Sequence, residues 1–266
     1  MDKPEKYHVP AFEHGLDLLE MIYEEREPMT QSQLALRTGK PVSSVFRLLN
    51  YLERRGYVLR NQETGRYGPT LKLYALAQLH PAYQRFRDIA AEPMRALSES
   101  LGESCHLSIL ENGKVRVLYN QPSPHAHSLN VREGVLLSGL YTLAGKLLLA
   151  HLEPTRLKAV LEDDNDYRAL GGAQRKAFKA QLRQFREETH RIAQSEVTPG
   201  VTDVDVLIPK VWMGDNVVLG VPCLQKYGDD ELSSIVLPRV QQATEQIIQI
   251  FAQQNGEASH DSREVL

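Results

Sequence analysis

The chain has 266 residues, with 31 Lys and Arg side chains against 34 Asp and Glu, so its formal net charge is −3. Hydrophobic residues make up 42% and charged residues 24%, which is typical of globular proteins and excludes a largely disordered chain. No apolar run reaches the roughly 18–20 residues that a membrane span needs, so we expect no membrane partner. Two cysteines exclude a disulfide framework. These features predict a cytoplasmic protein, and we expect neither a cofactor nor a metal.

Basic residues are concentrated in one part of the chain. Residues 26–80 contain nine Lys and Arg against three acids, whereas residues 81–266 contain 20 basic and 24 acidic residues. A locally basic unit on an acidic remainder suits nucleic acid binding, because neutralising phosphates provides most of the non-specific affinity. A basic surface without a partner is the alternative, and charge alone does not choose between them.

Helical patterns near the N-terminus predict a helix-turn-helix. Apolar residues recur at helical spacing over residues 12–26 and again over 42–56. Thr30 begins a capping-box pattern for a short helix over 31–38, and Gly39 is typical of the residue that ends it. A short helix, a tight turn and a longer helix form the DNA-binding arrangement.

A β-hairpin follows the last of these helices. Short strands are predicted over residues 57–60 and 66–67, around a turn that contains glycine. A hairpin directly after a recognition helix is a wing. We therefore assign residues 1–70 to a winged helix-turn-helix domain and residues 71–85, where helical spacing resumes, to a linker helix.

The period of the apolar residues changes from Ser104 onwards, where strands and helices alternate. Strands joined by hairpins predict an α+β domain with a mostly antiparallel sheet over residues 86–254, followed by a flexible tail over 255–266. The strands are predicted at 105–110, 115–119, 128–131, 204–209 and 217–224, and the helices at 141–151, 154–162, 174–192 and 229–254.

Several motifs occur in an order typical of one family. The N-terminal part contains FEHGLDLL at 12–19 and GKPVSSVFRLL at 39–49, and the C-terminal part contains TLAGKLLLA at 142–150, followed by Glu196. Over residues 10–250 the sequence resembles the IclR family of bacterial transcriptional regulators. The resemblance implies a winged helix-turn-helix domain, a linker helix and a C-terminal α/β ligand-binding domain with an antiparallel, GAF-like sheet.

The helix over 42–56 is expected to enter the major groove of a double-stranded DNA operator by its N-terminal end. Ser43 and Ser44 can donate to bases or phosphates, with helix capping as the alternative for each. Arg47 can reach phosphate, with an ion pair inside the domain as its alternative. The candidate DNA-binding residues are Gln31, Ser32, Pro41, Val42, Ser43, Ser44, Arg47, Arg60 and Arg66.

The resemblance also places a pocket for a small-molecule effector in the C-terminal domain. The matched positions are mostly apolar in this chain and include one acid, which favours a larger carboxylic or aromatic metabolite over a very small polar acid. Ordinary core packing is the alternative for each apolar position. The candidate effector-binding residues are Leu129, Leu143, Ala144, Asp203, Val221 and Cys223.

The predicted function is a sequence-specific DNA-binding transcriptional regulator that responds to an effector, and not an enzyme. The resemblance implies a homodimer or a dimer of dimers (homotetramer), and RNA polymerase is a further candidate partner. One alternative is a C-terminal domain that only oligomerises or binds a protein.

The other alternative is an enzyme, but Cys105, Cys223 and the histidines show no catalytic spacing. His125 and His127 have a spacing that suits a metal, although a solvated loop is the preferred interpretation. Lys146 follows a glycine but lacks the phosphate-loop pattern, so we expect it at the surface near the start of a helix.

Overall fold

The chain divides into two compact units between His80 and Pro81, within the segment 71–85 that the sequence assigns to the linker. No helix in the described part of either unit is long and apolar enough to cross a membrane. The structure, a computed structural model, describes residues 9–126, 128–224 and 227–261, with residues 255–261 described by their backbone alone.

The first unit has the winged helix-turn-helix arrangement. The predicted capping box forms, since Thr30 accepts from the Gln33 amide and the Gln33 side chain accepts from the Thr30 amide. Gly39 ends the second helix in the left-handed conformation, with φ of 64°. The elements are α1 (Pro10–Glu24), β1 (Met29–Thr30), α2 (Gln31–Thr38), α3 (Val42–Arg54), β2 (Val58–Arg60), β3 (Arg66–Pro69) and α4 (Lys72–Gln78).

The core between the first three helices contains buried leucines from each of them, among them Leu18 of α1, Leu34 of α2 and Leu49 of α3. The wing has a third strand, because β1 pairs antiparallel with β3 and gives the order β1-β3-β2. Strand β1 was not predicted, since two residues are too few to show an alternating pattern. The Tyr23 hydroxyl donates to the Thr70 carbonyl at 2.8 Å and so ties α1 to the end of the wing.

The second unit contains a six-stranded sheet in the order β6-β5-β4-β9-β8-β7, with every described pair antiparallel. This confirms the predicted α+β class. Its strands are β4 (Cys105–Glu111), β5 (Lys114–Gln121), β6 (Leu136–Ser138), β7 (His190–Gln194), β8 (Val201–Trp212) and β9 (Asp215–Leu224). Its helices are α5 (Pro81–Leu101), α6 (Leu143–Ala150), α7 (Pro154–Asp163), α8 (Asn165–Ala169), α9 (Gly172–Phe185), α10 (Asp229–Glu231), a π-helical turn (Leu232–Val236) and α11 (Leu237–Asp261).

The two faces of this sheet are covered by different helices. Side chains alternate along a strand, so Val204 and Val206 of β8 pack with α5 and α11 on one face. Leu207 of the same strand packs with α6 and α9 on the other face, together with Val218 of β9. The first face is apolar along its length, whereas the second also carries polar side chains, which form the candidate site described below.

Several predicted elements differ from the structure. No strand occurs at 128–131, and β5 pairs instead with β6. Which segment pairs with the outer side of β5 depends on contacts between residues distant in sequence. The helix predicted over 174–192 ends at Phe185 and is followed by β7, a half-buried edge strand whose polar residues do not alternate with apolar ones. The last helix continues to Asp261, so the predicted tail at 255–266 begins within α11 and ends outside the described residues.

Gly145 in the first turn of α6 lies directly against the backbone of Gly139. A Cβ at Gly145 would overlap the Gly139 carbonyl group, and backbone atoms cannot move aside as a flexible side chain can. Glycine at this position therefore allows α6 to approach the preceding loop closely.

We predict that Gly145→Ala destabilises the second unit by about 1–3 kcal/mol, the usual cost of forcing an extra carbon into a packed interior. Gly172→Ala is the matched control, since Gly172 also begins a helix but has open space where a Cβ would lie. Thermal unfolding of both variants is the measurement. Equal melting temperatures for Gly145→Ala and the wild type would contradict the close approach.

Candidate functional site

The N-terminal end of α3 is open to solvent and has no side-chain cap. Pro41 is the N-cap residue, and neither serine that follows it caps the helix. Pro41, Val42 and Ser43 are exposed and Ser44 is half-buried. Capping, the alternative considered for Ser43 and Ser44, therefore does not occupy their hydroxyl groups. The Ser44 amide donates to the Pro41 carbonyl at 2.9 Å, so the amides of Val42 and Ser43 are the ones at the start of α3 that remain available to an acceptor outside the helix.

One face of α3 presents an exposed stripe of polar and apolar side chains. Ser43, Phe46, Arg47 and Asn50 are exposed, and the Phe46 ring is 45% exposed. Phe46 and Asn50 were not among the predicted site residues. The helical period could have found them, since they lie opposite the apolar positions that face the core.

The basic side chains of the first unit (residues 9–80 in the described structure), called the head from here on, differ in the contacts that they make. Arg47 has no ion-pair partner among the described residues, so the structure does not support an ion pair inside the domain. The Arg66 guanidinium donates to the Pro28 carbonyl at 2.8 Å, which holds it against the head. The Arg60 guanidinium lies 5.8 Å from the centre of the Tyr67 ring, within the range of a cation–π contact.

The candidates on α2 are placed differently from each other. The Gln31 side-chain amide donates to the Val42 carbonyl at 3.1 Å and so joins the starts of α2 and α3. Ser32 is exposed. Gln31 is therefore in place to position α3, while Ser32 remains accessible.

The second unit contains a cavity of about 490 Å³ on the sheet face that also packs against α6. Four of the six candidate effector-binding residues line it, namely Leu129, Leu143, Ala144 and Asp203. Val221 and Cys223 do not, and their placement in the pocket is wrong. Both are buried in the core on the opposite face of the sheet, because side chains alternate along β9 and Pro222 between them faces the cavity.

Two carboxylates of β8 face the cavity together. Asp203 and Asp205 are two residues apart, so they lie on the same face of the strand. Asp205 is only 2% exposed, and burial raises the pKa of its carboxyl well above its usual range, with a further rise from the nearby charge of Asp203. Burial also raises the pKa of Asp203, opposed by a hydrogen bond from Ser195. Asp205 was not predicted as a site residue, although its spacing from Asp203 in an alternating strand would have indicated it.

A histidine faces Asp205 across an intervening glycine. His106 of β4 and Asp205 of β8 both pair with Gly220 of β9, which lies between them. A Cβ at Gly220 would lie 2.6 Å from Asp205 Oδ1 and 3.1 Å from the His106 ring, so only glycine leaves room for both side chains. Burial lowers the pKa of His106 to about 4, which keeps the ring neutral near pH 7. Its Nδ1 atom is buried without a hydrogen-bond partner in the described structure.

The rim of the cavity is polar and its segments are tied together. Arg132 is exposed at the rim, and Thr142 caps the start of α6 by accepting from the Gly145 amide at 3.2 Å. Lys146 is buried and forms an ion pair with Glu196, which follows the cavity residue Ser195. The expected surface position of Lys146 is therefore wrong, because this ion pair joins α6 to the loop after β7. It brings together two segments that carried the family resemblance.

The alternative roles considered for cysteine and histidine find little support. Burial raises the pKa of Cys105 to about 12, so its thiol is not a ready nucleophile near neutral pH. The His125 ring packs against Gly102, while His127 lies outside the described residues. Within the described parts of the chain, no group of three or more His, Cys, Asp and Glu side chains could hold a metal ion.

Comparison with known proteins identifies the family of this chain. The sequence matches the IclR helix-turn-helix domain over residues 11–62 and the C-terminal domain of the bacterial transcriptional regulator IclR over residues 83–247. This chain belongs to the IclR family. IclR-family proteins are DNA-binding transcriptional regulators, so the exposed stripe of α3 belongs to the DNA-binding domain of such a regulator.

Individual IclR-family members are similar over most of the chain. The helix-turn-helix regulator XynR of Escherichia coli K12 is 26% identical over 213 residues, covering 79% of this chain and 83% of XynR. TtgV of Pseudomonas putida is 30% identical over 162 residues, covering 60% of this chain and 61% of TtgV. An IclR homologue from Microbacterium hydrocarbonoxydans, solved in complex with 4-hydroxybenzoate, has a TM-score of 0.73 at 19% identity, covering 91% of this chain and 99% of that one. That similarity shows the IclR fold.

The buried carboxyl of Asp205 predicts a stability that depends on pH. Folding raises the pKa of this carboxyl group. Above the normal pKa of an aspartate, the unfolded chain ionises more readily than the folded one, so the folded state loses stability as the pH rises. At lower pH the group is protonated in both states and this loss disappears. We expect Asp205→Asn to melt at a higher temperature than the wild type at about pH 8, and the two melting temperatures to converge at about pH 4. Thermal unfolding over this pH range is the measurement. The control is Asp163→Asn at an exposed position of α7, which is expected to leave the melting temperature unchanged. A difference for Asp205→Asn that does not vary with pH would rule out this assignment.

Proposed function

We propose that this IclR-family regulator binds its operator through the exposed stripe of α3 and changes its DNA affinity when a small molecule occupies the cavity of the second unit. The proposal of DNA binding rests on Arg47. Its side chain is exposed on α3 and has no ion-pair partner among the described residues. An exposed guanidinium without an ion-pair partner can neutralise a phosphate or donate hydrogen bonds to the edge of a guanine base.

The contacts that we propose follow from the placement of each side chain. Ser43 and the free amides at the start of α3 suit phosphate or base edges, and Phe46 suits apolar contact with a thymine methyl group. Arg60 on the wing suits the minor groove or a phosphate. Gln31 and Arg66 are proposed to position α3 and the wing, because both already bond within the head.

A single head reads few base pairs, so we propose a homodimer or a dimer of dimers on an operator with repeated half-sites. Contact with RNA polymerase remains a further prediction for the DNA-bound protein. An unbiased selection of genomic fragments bound by the purified protein would give the operator and, through the neighbouring genes, the class of metabolite.

The cavity supports effector binding in the second unit. Its volume of about 490 Å³ lies within the range of small-molecule sites, roughly 300–1,000 Å³. The homologue in complex with 4-hydroxybenzoate shares the fold, which supports a ligand role for this unit. The predicted carboxylic or aromatic metabolite stays a prediction. A ligand alters DNA affinity only if it binds two states of the protein with different affinities.

The second candidate function is a C-terminal unit that only oligomerises or binds a protein. Thermal unfolding with a panel of metabolites separates the two, because a ligand that binds the folded state raises the melting temperature.

Arg47→Ala is expected to weaken operator binding by about 1–3 kcal/mol if Arg47 contacts a base. If Arg47 contacts phosphate, the slope of log affinity against log salt concentration (the salt slope) is expected to fall by about 1. Fluorescence anisotropy at several salt concentrations measures both. Arg54→Ala is the control, since it removes the same charge at the far end of the same helix. Unchanged affinity and slope for Arg47→Ala would refute the proposed contact.

Asp203→Ala is expected to change the response to the effector while DNA affinity without effector stays as in the wild type, because Asp203 lines the cavity of the second unit. Operator binding with and without the metabolite identified by the panel is the measurement. Loss of folding in Asp203→Ala, checked by circular dichroism, would assign it a structural role instead.

A further inference from the structure

We propose that the ligand of the cavity is an amino acid or a closely similar zwitterion, whose positively charged amino group binds at Asp203, Asp205 and His106. This inference rests on the proposed role of the cavity as the effector site and names the chemistry of the ligand.

The charge inside the cavity is the first observation that favours a cationic group. Asp203 and Asp205 have no ion-pair partner among the described residues, and Asp205 is almost fully buried. Buried carboxylates normally need a counter-charge, since an unpaired charge in a protein interior costs several kcal/mol. Lys146, the buried lysine of the adjacent helix, already pairs with Glu196. No cationic side chain of the described residues pairs with these two carboxyl groups, so a cationic ligand would supply the counter-charge with which both can ionise despite their burial.

The number and type of hydrogen-bonding groups favour an ammonium group over a hydroxyl. A neutral imidazole has one nitrogen that accepts a hydrogen bond, and the buried Nδ1 of His106 has no partner in the described structure. Two carboxylates and this imidazole offer three acceptor groups around one end of the cavity. An ammonium group carries three N–H donors, whereas a single hydroxyl group carries one. One ammonium group can therefore satisfy all three residues.

The rest of the cavity suits the other parts of an amino acid. Arg132 at the rim has no ion-pair partner in the described chain, so its guanidinium can bind a carboxylate. Leu143 and Ala144 in the first turn of α6 also line the cavity, and the amides of a first helical turn have no acceptor within the helix. Val115 and Leu137 also line it and can contact an apolar side chain. Together these groups match the carboxylate and the side chain of an apolar amino acid.

The experiment compares matched ligands on the full-length protein by thermal shift and calorimetry. The panel contains the standard L-amino acids, the 2-hydroxy acid with the same carbon skeleton as each apolar amino acid, gluconate, and 4-hydroxybenzoate. We expect at least one apolar amino acid to bind, and its hydroxy acid to bind at least about tenfold more weakly, because the hydroxyl replaces a cation that has three donors.

Variants assign the effect to the buried acids. Asp203→Asn and Asp205→Asn keep the side-chain shape but remove the charge, and each is expected to weaken the binding of the amino acid by at least about tenfold. The control Asp163→Asn removes a charge from the exposed end of α7 and is expected to bind like the wild type. If Asp205→Asn fails to fold, Asp203→Asn tests the second carboxyl group of the same proposed site.

The outcomes separate this inference from the proposed function. Equal binding of the amino acid and its hydroxy acid, or wild-type binding by both asparagine variants, overturns the amino-group assignment. Binding of gluconate or 4-hydroxybenzoate with no binding of any amino acid also overturns it, but leaves the cavity as an effector site. If no member of the panel binds, the amino-acid ligand is overturned, and the alternative that the second unit only oligomerises or binds a protein gains support.

Discussion

The burial of two carboxylates on one face of a sheet is the constraint that shapes the second unit. Asp203 and Asp205 project from β8 towards α6, and His106 reaches the same region from β4. Glycine at position 220 makes room for them, because any side chain there would meet Asp205 and His106. A region that holds two carboxyl groups and an imidazole in the interior cannot pack as an apolar core, and the cavity beside them leaves room for a ligand that supplies hydrogen-bond partners.

The same sheet separates stability from binding by the alternation of its side chains. Val204 and Val206 pack beneath α5 and α11, where burial of apolar surface stabilises the fold. Asp203 and Asp205, their neighbours in sequence, face the cavity instead. The close approach of α6 at Gly145 and the Lys146–Glu196 ion pair then hold the cavity wall in place. Binding chemistry can therefore vary on one face of the sheet without disturbing the core on the other.

In the head, the candidate DNA-binding side chains differ in whether they already have partners within the protein. Arg66 and Gln31 form hydrogen bonds that position the wing and the start of α3. Arg47 has no such ion-pair partner among the described residues and remains exposed. A guanidinium already bonded to a carbonyl contributes less to DNA affinity than a free one, because contact with DNA would first have to break or share that bond. The proposed division between residues that position α3 and the wing and residues that contact DNA thus rests on local hydrogen bonding.

Short-range patterns were sufficient to predict the capped helix after Thr30, the recognition helix, the hairpins and the strands over 204–209 and 217–224. These elements, with the motifs around Lys146, were enough for the fold class and the family. Contacts between residues distant in sequence became known only from the packed fold. They place Val221 and Cys223 in the core, add Asp205 and His106 to the cavity, and bury Lys146 against Glu196. The physical reason is that local periodicity defines the two faces of a strand, whereas packing between elements decides what each face contacts.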